Sequence, residues 1–257
     1  MIVFAHIPKT AGTSLAQSFE ASCFRRVLFD YTPDYDNVVM KPDEEAFFTR
    51  HKEFIVDRFD YIYGHFYVSK YKKVFPSAQY VTCFRHPVDR ILSQYRHLFA
   101  YRGHSKNDYA DRIMAGKMSV VEFASQPNVH DAQTVHLGGY SLSDLDFFFL
   151  AEQLVDGVHA FNELFGRHLP TPGRLNVAER KAKRLRIRQS EKDEIARIAA
   201  ADMELYREAA SYFLHERRTG WQRFRSALTG LHSDDAARRR RWPPPTQFHT
   251  LSRQNGR

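Results

Sequence analysis

Lys9 lies in a run of small and hydroxylated residues, Pro8-Lys9-Thr10-Ala11-Gly12-Thr13-Ser14. The run joins an apolar stretch, Ile2 to Ile7, to a segment of helical character, Leu15 to Phe19. A strand, a small-residue turn and a helix N-terminus together make an anion site, because backbone N–H groups and the helix dipole converge on one spot. Lys9 adds a full charge there, and Thr10, Thr13 and Ser14 add hydroxyls. The group that fits is a phosphate or something of its shape and charge. A second such junction follows at Gln79–Phe84, a strand pattern leading into Arg85-His86-Pro87 and a helical segment that carries Ser93. Pro87 suits the first turn of a helix. An arginine at a strand end and a serine on the next helix can grip one phosphate from two sides, since the guanidinium fork matches phosphate oxygens.

Each feature has a simpler reading. The first junction can be a helix-capping turn without a ligand, and Arg85 can pair with Asp89, as exposed arginines commonly do. The nucleoside-triphosphate signature G-x-x-x-x-G-K-[ST] is absent, because Lys9 precedes the glycine. The dinucleotide pattern G-x-G-x-x-G is absent too. A kinase is disfavoured on the same grounds.

The two motifs together, H-I-P-K-T-A-G-T-S and F-R-H-P-V-D-R-I-L-S-Q-Y, resemble the sulfotransferases that use 3′-phosphoadenosine 5′-phosphosulfate (PAPS). The likeness is greatest to the carbohydrate branch that includes the heparan and chondroitin enzymes. The resemblance implies a P-loop-like nucleotide-binding α/β fold. It also implies that Lys9, Thr10, Gly12, Thr13 and Ser14 hold the 5′-phosphosulfate, and that Arg85 and Ser93 hold the 3′-phosphate. Tyr61-Ile62-Tyr63-Gly64-His65-Phe66 is similar to the strand bearing the catalytic histidine in that branch, which makes His65 the expected base. Gly64 would then let a ligand approach the backbone. Glu53 or Asp57 would take the role if the likeness slips in register. His6 reads as structural, while His86, His97 and His136 could line an acceptor cleft. Looser likenesses at Ala132–Gly139 and Asp202–Tyr206 extend the resemblance over residues 1–214. Sulfuryl transfer needs positioning and charge stabilisation more than covalent help, by analogy with phosphoryl transfer. Lys9 is suited to the leaving oxygen and His65 to the acceptor's proton. No metal is implied: neither cysteine has ligand spacing with a histidine, and H-E-x-x-H does not occur.

The elements that position these residues read as alternating strands and helices, hence a mainly parallel sheet flanked by helices. Strands are expected at 2–7, 61–64, 79–84 and 147–150. Helices are expected at 13–22, 87–101, 120–124 and 154–165, the last closed by Gly166. Residues 30–60 are mixed, and 102–118 read as a loop. A long helix begins near a Ser190/Asp193 capping pair and keeps Ile195, Ile198, Asp202, Leu205 and Phe213 on one face. Lys9, His65 and Arg85 each follow directly on a strand, where ligands sit on parallel sheets. Phe84 and Tyr95 could reach an adenine but read better as core.

The net charge of +8 is localised. Ten arginines against three acids in residues 215–257 supply most of it, and seven more basic residues crowd 174–188. A nucleic-acid-binding domain would spread a basic face over its fold, so that partner is not expected. The run 180–188 could touch donor or acceptor, or simply be solvated. No stretch of 18 apolar residues offers a membrane span. Two cysteines make no disulfide framework, and the chain opens straight into a strand without a leader pattern. A cytoplasmic protein is expected, with a domain at 1–214 and a basic, Pro-rich tail at 215–257. Trp221, Phe224, Leu228 and Leu231 fall at helical intervals among arginines. They would sit on an anionic inner-membrane surface or dock on the body. The expected activity is sulfuryl transfer from PAPS to a hydroxyl of a glycan or glycolipid, with aromatics such as Phe29, Tyr31, Tyr35, Phe47 and Tyr101 available to stack on sugars. The alternative is a non-catalytic nucleotide- or phosphate-binding module on the same fold.

Overall fold

Ile2 to Ala5 are buried on both faces, the pattern of a central strand in a parallel sheet covered by helices on either side. The computed structural model describes residues 1–23, 26–31, 38–100, 108–172, 185–221 and 224. In it, β1 (Ile2–Ala5), β2 (Val27–Asp30), β3 (Tyr61–Gly64), β4 (Gln79–Phe84) and β5 (Phe147–Leu150) form one sheet of order β2-β3-β1-β4-β5. Every pairing is parallel. Each strand but β2 is buried nearly throughout, and Phe4, Tyr61, Tyr63, Phe147, Phe148 and Phe149 make the core strongly aromatic.

The helices are α1 (Gly12–Cys23), α2 (Pro42–Arg50), α3 (Lys52–Arg58), α4 (Pro87–Ala100), α5 (Tyr109–Met114), α6 (Val120–Ala124), α7 (Pro127–His130), α8 (Ala132–His136), α9 (Leu154–Phe165), α10 (Gln189–Ile198) and α11 (Ala200–Arg218). α1 presses Phe19 onto Phe4 and Tyr61. α4 joins α5, α6 and α10 in a second cluster around Ile91, Leu92, Phe123 and Ile195. Gly166 closes α9 at φ 58°, the left-handed turn that glycine adopts without penalty.

Four of the five strands fall where the apolar runs put them. β2 does not: Val27-Leu28-Phe29 is short, half-buried and paired on one side only, so it lacks the continuous apolar signature of its neighbours. α2, with Pro42 at its start and three acids in its first turn, is a helix inside the stretch read as mixed. α5 occupies part of the expected loop because Ala110 and Ile113 are buried. The long C-terminal helix is two helices broken at Ala199. Its start is set by Glu191, whose carboxylate accepts from the Arg188 amide at 2.8 Å, and not by Ser190 with Asp193. Packing also continues past residue 214. Trp221 and Phe224 are buried against Phe213 and Phe147, with ring centroids 5.0 Å apart in each pair. Those two side chains dock on the body; Leu228, Leu231 and the rest of the tail lie outside the described residues.

β1 is flanked by β3 on one side and β4 on the other, although β2 and β3 follow it in sequence on the same side. The chain therefore reverses direction across the sheet at β1, and the crevice at its carboxyl end is the place where such sheets bind ligands. The loop after β1 carries Lys9, β3 leads into His65 and β4 into Arg85. Three adjacent strands thus deliver the three residues to one end of the sheet.

Candidate active site

The loop after β1 turns sharply. Lys9 and Ala11 both take left-handed backbone, at φ 71° and 67°. Non-glycine residues hold that conformation only where their surroundings compensate. Here Arg85 contributes, donating from Nη1 to the Lys9 carbonyl at 3.1 Å. Thr10 is fully buried and donates its hydroxyl to the Ile7 carbonyl at 2.8 Å, so it braces the turn from within. The first amide-to-carbonyl bond of α1 runs from Leu15 to Ala11. The amides of Gly12, Thr13 and Ser14 precede it and are the ones a helix leaves for other acceptors. Thr13 is exposed beside them and Ser14 is buried.

Gly12 is required by shape. A Cβ there would lie 1.7 Å from His6 Nε2, since the imidazole packs flat against its Cα. Tyr63 closes the other side, donating to the Gly12 carbonyl at 2.7 Å. Gly64 has a related origin, and it corrects the expected one. Its missing side chain makes room for the backbone of β2, not for a ligand: a Cβ would come within 1.9 Å of the Asp30 carbonyl oxygen.

The two basic motifs meet. Besides the Arg85 bond to Lys9, Arg85 lowers the Lys9 pKa, after desolvation, which is the larger cause. Among the described residues neither Lys9 nor Arg85 forms an ion pair, and Arg85 does not reach Asp89. Ser93 lies in the second turn of α4, partly buried. His97, one turn further along the same face, has its pKa lowered by burial and then by the charge of Lys9.

A histidine cluster faces Lys9. His65 Nε2 is 2.9 Å from His6 Nδ1, and the Tyr31 hydroxyl is 2.9 Å from that same nitrogen. Burial first, then the charges of His136 and Lys9, pushes His65 down to about 3. Burial lowers His136 to about 4 and drives His6 well below the ordinary histidine value. All three rings are neutral at pH 7. Glu53 and Asp57 are exposed on α3, which leads into the amino end of β3, and so they lie away from this cluster. Phe84 and Tyr95 are buried in the core.

These neutral rings predict an acid-sensitive fold. Below the unfolded value near 6.5 the unfolded chain binds protons that the folded rings refuse. Stability therefore rises with pH between about 4 and 6.5 and is lost as pH falls through that window. Each ring contributes at most about 1.4 kcal/mol per pH unit. The melting temperature is expected to drop between pH 7.5 and pH 5; an unchanged value would mean that the rings protonate inside the fold.

A layer of polar residues behind Arg85 carries no single-motif signal. Gln133 accepts the Arg85 amide at 2.8 Å, and Asp202 accepts the Gln133 and Thr134 amides at 3.1 and 2.8 Å. Glu152 accepts the His86 amide at 2.8 Å and the Tyr206 hydroxyl at 2.9 Å. The segments 132–139 and 202–206, weak likenesses in the sequence, thus clamp the backbone that presents Arg85. The basic residues 180–184, Tyr35 and Tyr101 lie outside the described residues. No cluster of three or more potential metal ligands occurs among the described residues.

The fold and site define a parallel α/β protein with a cationic cradle at the carboxyl end of its central strand. Residues 13–136, a little under half of the chain, match the model of a family described as the sulfotransferase family. That stretch holds His65, Arg85 and Ser93 but begins after Lys9. No curated protein matches the chain. Among solved structures, a sulfotransferase from Alicyclobacillus acidocaldarius is 15% identical, with 93% of this chain and 98% of that one covered and a TM-score of 0.44. Mouse sulfotransferase SULT7A1, solved in complex with PAP, is 14% identical, with 79% of this chain covered and a TM-score of 0.40. The chain spans 65% of the length of the mouse protein.

Proposed function

We propose that the protein is a sulfotransferase that moves a sulfuryl group from PAPS to a hydroxyl of a glycan or glycolipid. The observation that carries this reading is the pair of Lys9 and Arg85, two cations joined through the Lys9 carbonyl, with no acid among the described residues paired to either. Like charges held this close in a half-buried crevice call for an anionic ligand. The family-model match to residues 13–136 points to the same chemistry.

In this reading the amides of Gly12, Thr13 and Ser14 hold the 5′-phosphosulfate, and the Lys9 ammonium meets the charge that grows on the leaving phosphate oxygen. The Thr10 hydroxyl shapes the loop. Arg85, fixed by Gln133, and Ser93 hold the 3′-phosphate. His65, neutral at pH 7, takes the acceptor's proton as the hydroxyl oxygen bonds to sulfur and the sulfur–oxygen bond to the nucleotide breaks. A glycan acceptor is supported by Phe29 and Tyr31, which stack with centroids 6.1 Å apart, are 40% and 41% exposed, and bring Tyr31 to 4.6 Å from the His65 ring. Flat aromatic faces beside a base suit the C–H face of a sugar ring. Any membrane contact by the tail would fall to residues beyond Phe224.

Calorimetry with 3′-phosphoadenosine 5′-phosphate (PAP) against ATP tests the donor site. Tight PAP binding with negligible ATP binding is expected, and Arg85→Ala should weaken PAP by about 10- to 100-fold, the value of a charge-assisted hydrogen bond. ATP binding as tight as PAP would sink the assignment. Labelled donor screened against hydroxylated glycans then separates an enzyme from a binding module.

A further inference from the structure

Asp202 and Arg90 are charged side chains that are fully buried, and the proposed chemistry uses neither. Both grip the junction between α7 and α8. Arg90, on α4, donates from Nη2 to the Val129 carbonyl in α7 and from Nη1 to Gln94 at 3.0 Å. Asp202, in the first turn of α11, accepts the amides of Gln133 and Thr134 at 3.1 and 2.8 Å and the Thr134 hydroxyl at 2.8 Å. A cation thus holds the carbonyl end of α7 and an anion the amide end of α8, the groups that helix ends leave unpaired. Each also favours the charge on the other.

Gln133 links this junction to the anion site. Asp202 fixes its backbone, and its Oε1 accepts the Arg85 amide at 2.8 Å. Arg85 is then held at both ends, at its amide by Gln133 and at Nη1 by the Lys9 carbonyl 3.1 Å away. For stability alone the arrangement is costly. Burial disfavours the charged form of both Asp202 and Arg90, and Gln133 Nε2 and Arg90 Nε are buried with no hydrogen-bond partner among the described residues. Apolar residues of the same size are often as good or better at stabilising a fold. What the charged network adds is one defined placement of Gln133.

We infer that Asp202 is a positioning residue for the anion site: by fixing the backbone of Gln133, it sets where Arg85 presents its guanidinium, with Arg90 as its counter-charge. The phosphate loop after β1 has its own braces, in the bonds of Thr10 to the Ile7 carbonyl and of Tyr63 to the Gly12 carbonyl. Loss of the carboxylate should therefore be felt at the Arg85 end of a bound nucleotide and not at the loop end. This role rests on the proposed function for the identity of the ligand, whose 3′-phosphate Arg85 would hold. The path of hydrogen bonds can be measured without it.

Calorimetry on the full chain with PAP and with AMP, which lacks the 3′-phosphate, reads the selectivity. Asp202→Asn keeps the size of the side chain but turns one acceptor oxygen into a donor facing an amide. It should weaken PAP by about tenfold, the lower end of the loss expected for Arg85→Ala, and leave AMP within about threefold. Gln133→Met, which removes the acceptor of the Arg85 amide, should do the same. In an Arg85→Ala background Asp202→Asn should cost no more than about twofold further, because the residue it acts through is gone. A purely structural role would lower both affinities together or leave both unchanged. Either result overturns the inference, as does full additivity with Arg85→Ala. If Asp202→Asn does not fold, Thr134→Val decides, since it removes only the hydroxyl bond to that carboxylate. It should lower the preference for PAP over AMP by about threefold, and an unchanged preference overturns the inference. Hydrogen exchange at the Arg85 amide needs no ligand: it should be at least about tenfold faster in Asp202→Asn than in the wild type, and equal rates overturn the path. Faster exchange in a chain that binds neither nucleotide would uphold the path and count against the proposed function alone.

Discussion

Lys9→Ala is expected to lower kcat for sulfuryl transfer by about 10²- to 10³-fold, the range seen when one donor to a developing oxyanion is removed. Lys9 has the geometry for that role. The left-handed turn at φ 71° presents its backbone carbonyl to Arg85, which donates to it at 3.1 Å and fixes the turn that carries the side chain. Burial and Arg85 lower its pKa, so the ammonium sits in a poorly screened setting where a point charge acts strongly. Lys9→Arg is expected to restore little, because a planar fork on a shorter effective stem does not follow an oxygen as a bond lengthens. Thermal melting separates this effect from unfolding: alanine carries the same Cβ as lysine and so meets the same backbone strain at φ 71°, and the melting temperature should stay within a few degrees. Turnover within threefold of wild type would remove Lys9 from the chemistry.

His65→Ala has a comparably large expected effect on turnover and should leave donor binding intact. Loss of a general base costs about 10²- to 10⁴-fold in rate. His65 Nε2 is hydrogen-bonded to His6, and the proposed anion contacts come from other residues, so PAP affinity should remain within about twofold to threefold. Calorimetry on the variant, paired with single-turnover transfer, checks both halves. Near-normal turnover would show that another group accepts the proton. Loss of PAP binding with loss of turnover would show instead that the ring supports the cradle.

Arg85 separates the two effects. It should act on donor affinity first, because it touches the loop through a carbonyl and follows β4, which β1 separates from the strand that leads into His65. A kcat effect without an affinity effect in Arg85→Ala would reverse the roles given to Arg85 and Lys9.

How far the sequence alone reached follows from the range of the forces involved. β1, β3, β4 and β5 were legible because central parallel strands are apolar on both faces, and a run such as Ile2-Val3-Phe4-Ala5 has no other economical explanation. Lys9, His65 and Arg85 were legible because each follows such a run directly, and strand ends are where a parallel sheet exposes its chain. The helix stop at Gly166 was legible because a left-handed cap is a local property of the backbone. The tertiary structure alone decided what depends on residues far apart in the chain. His6 meets His65 across 59 positions and Tyr31 across 25, contacts that no local pattern announces. β2 exists because β3 offers it one edge, and that edge, not a ligand, is why residue 64 is a glycine. The clamp of Gln133, Asp202 and Glu152 behind Arg85 joins segments whose polar residues look solvent-directed until the helices pack. Local preference sets where a strand or a cap can form; only closure of the sheet, with the burial it brings, determines which polar groups must find each other.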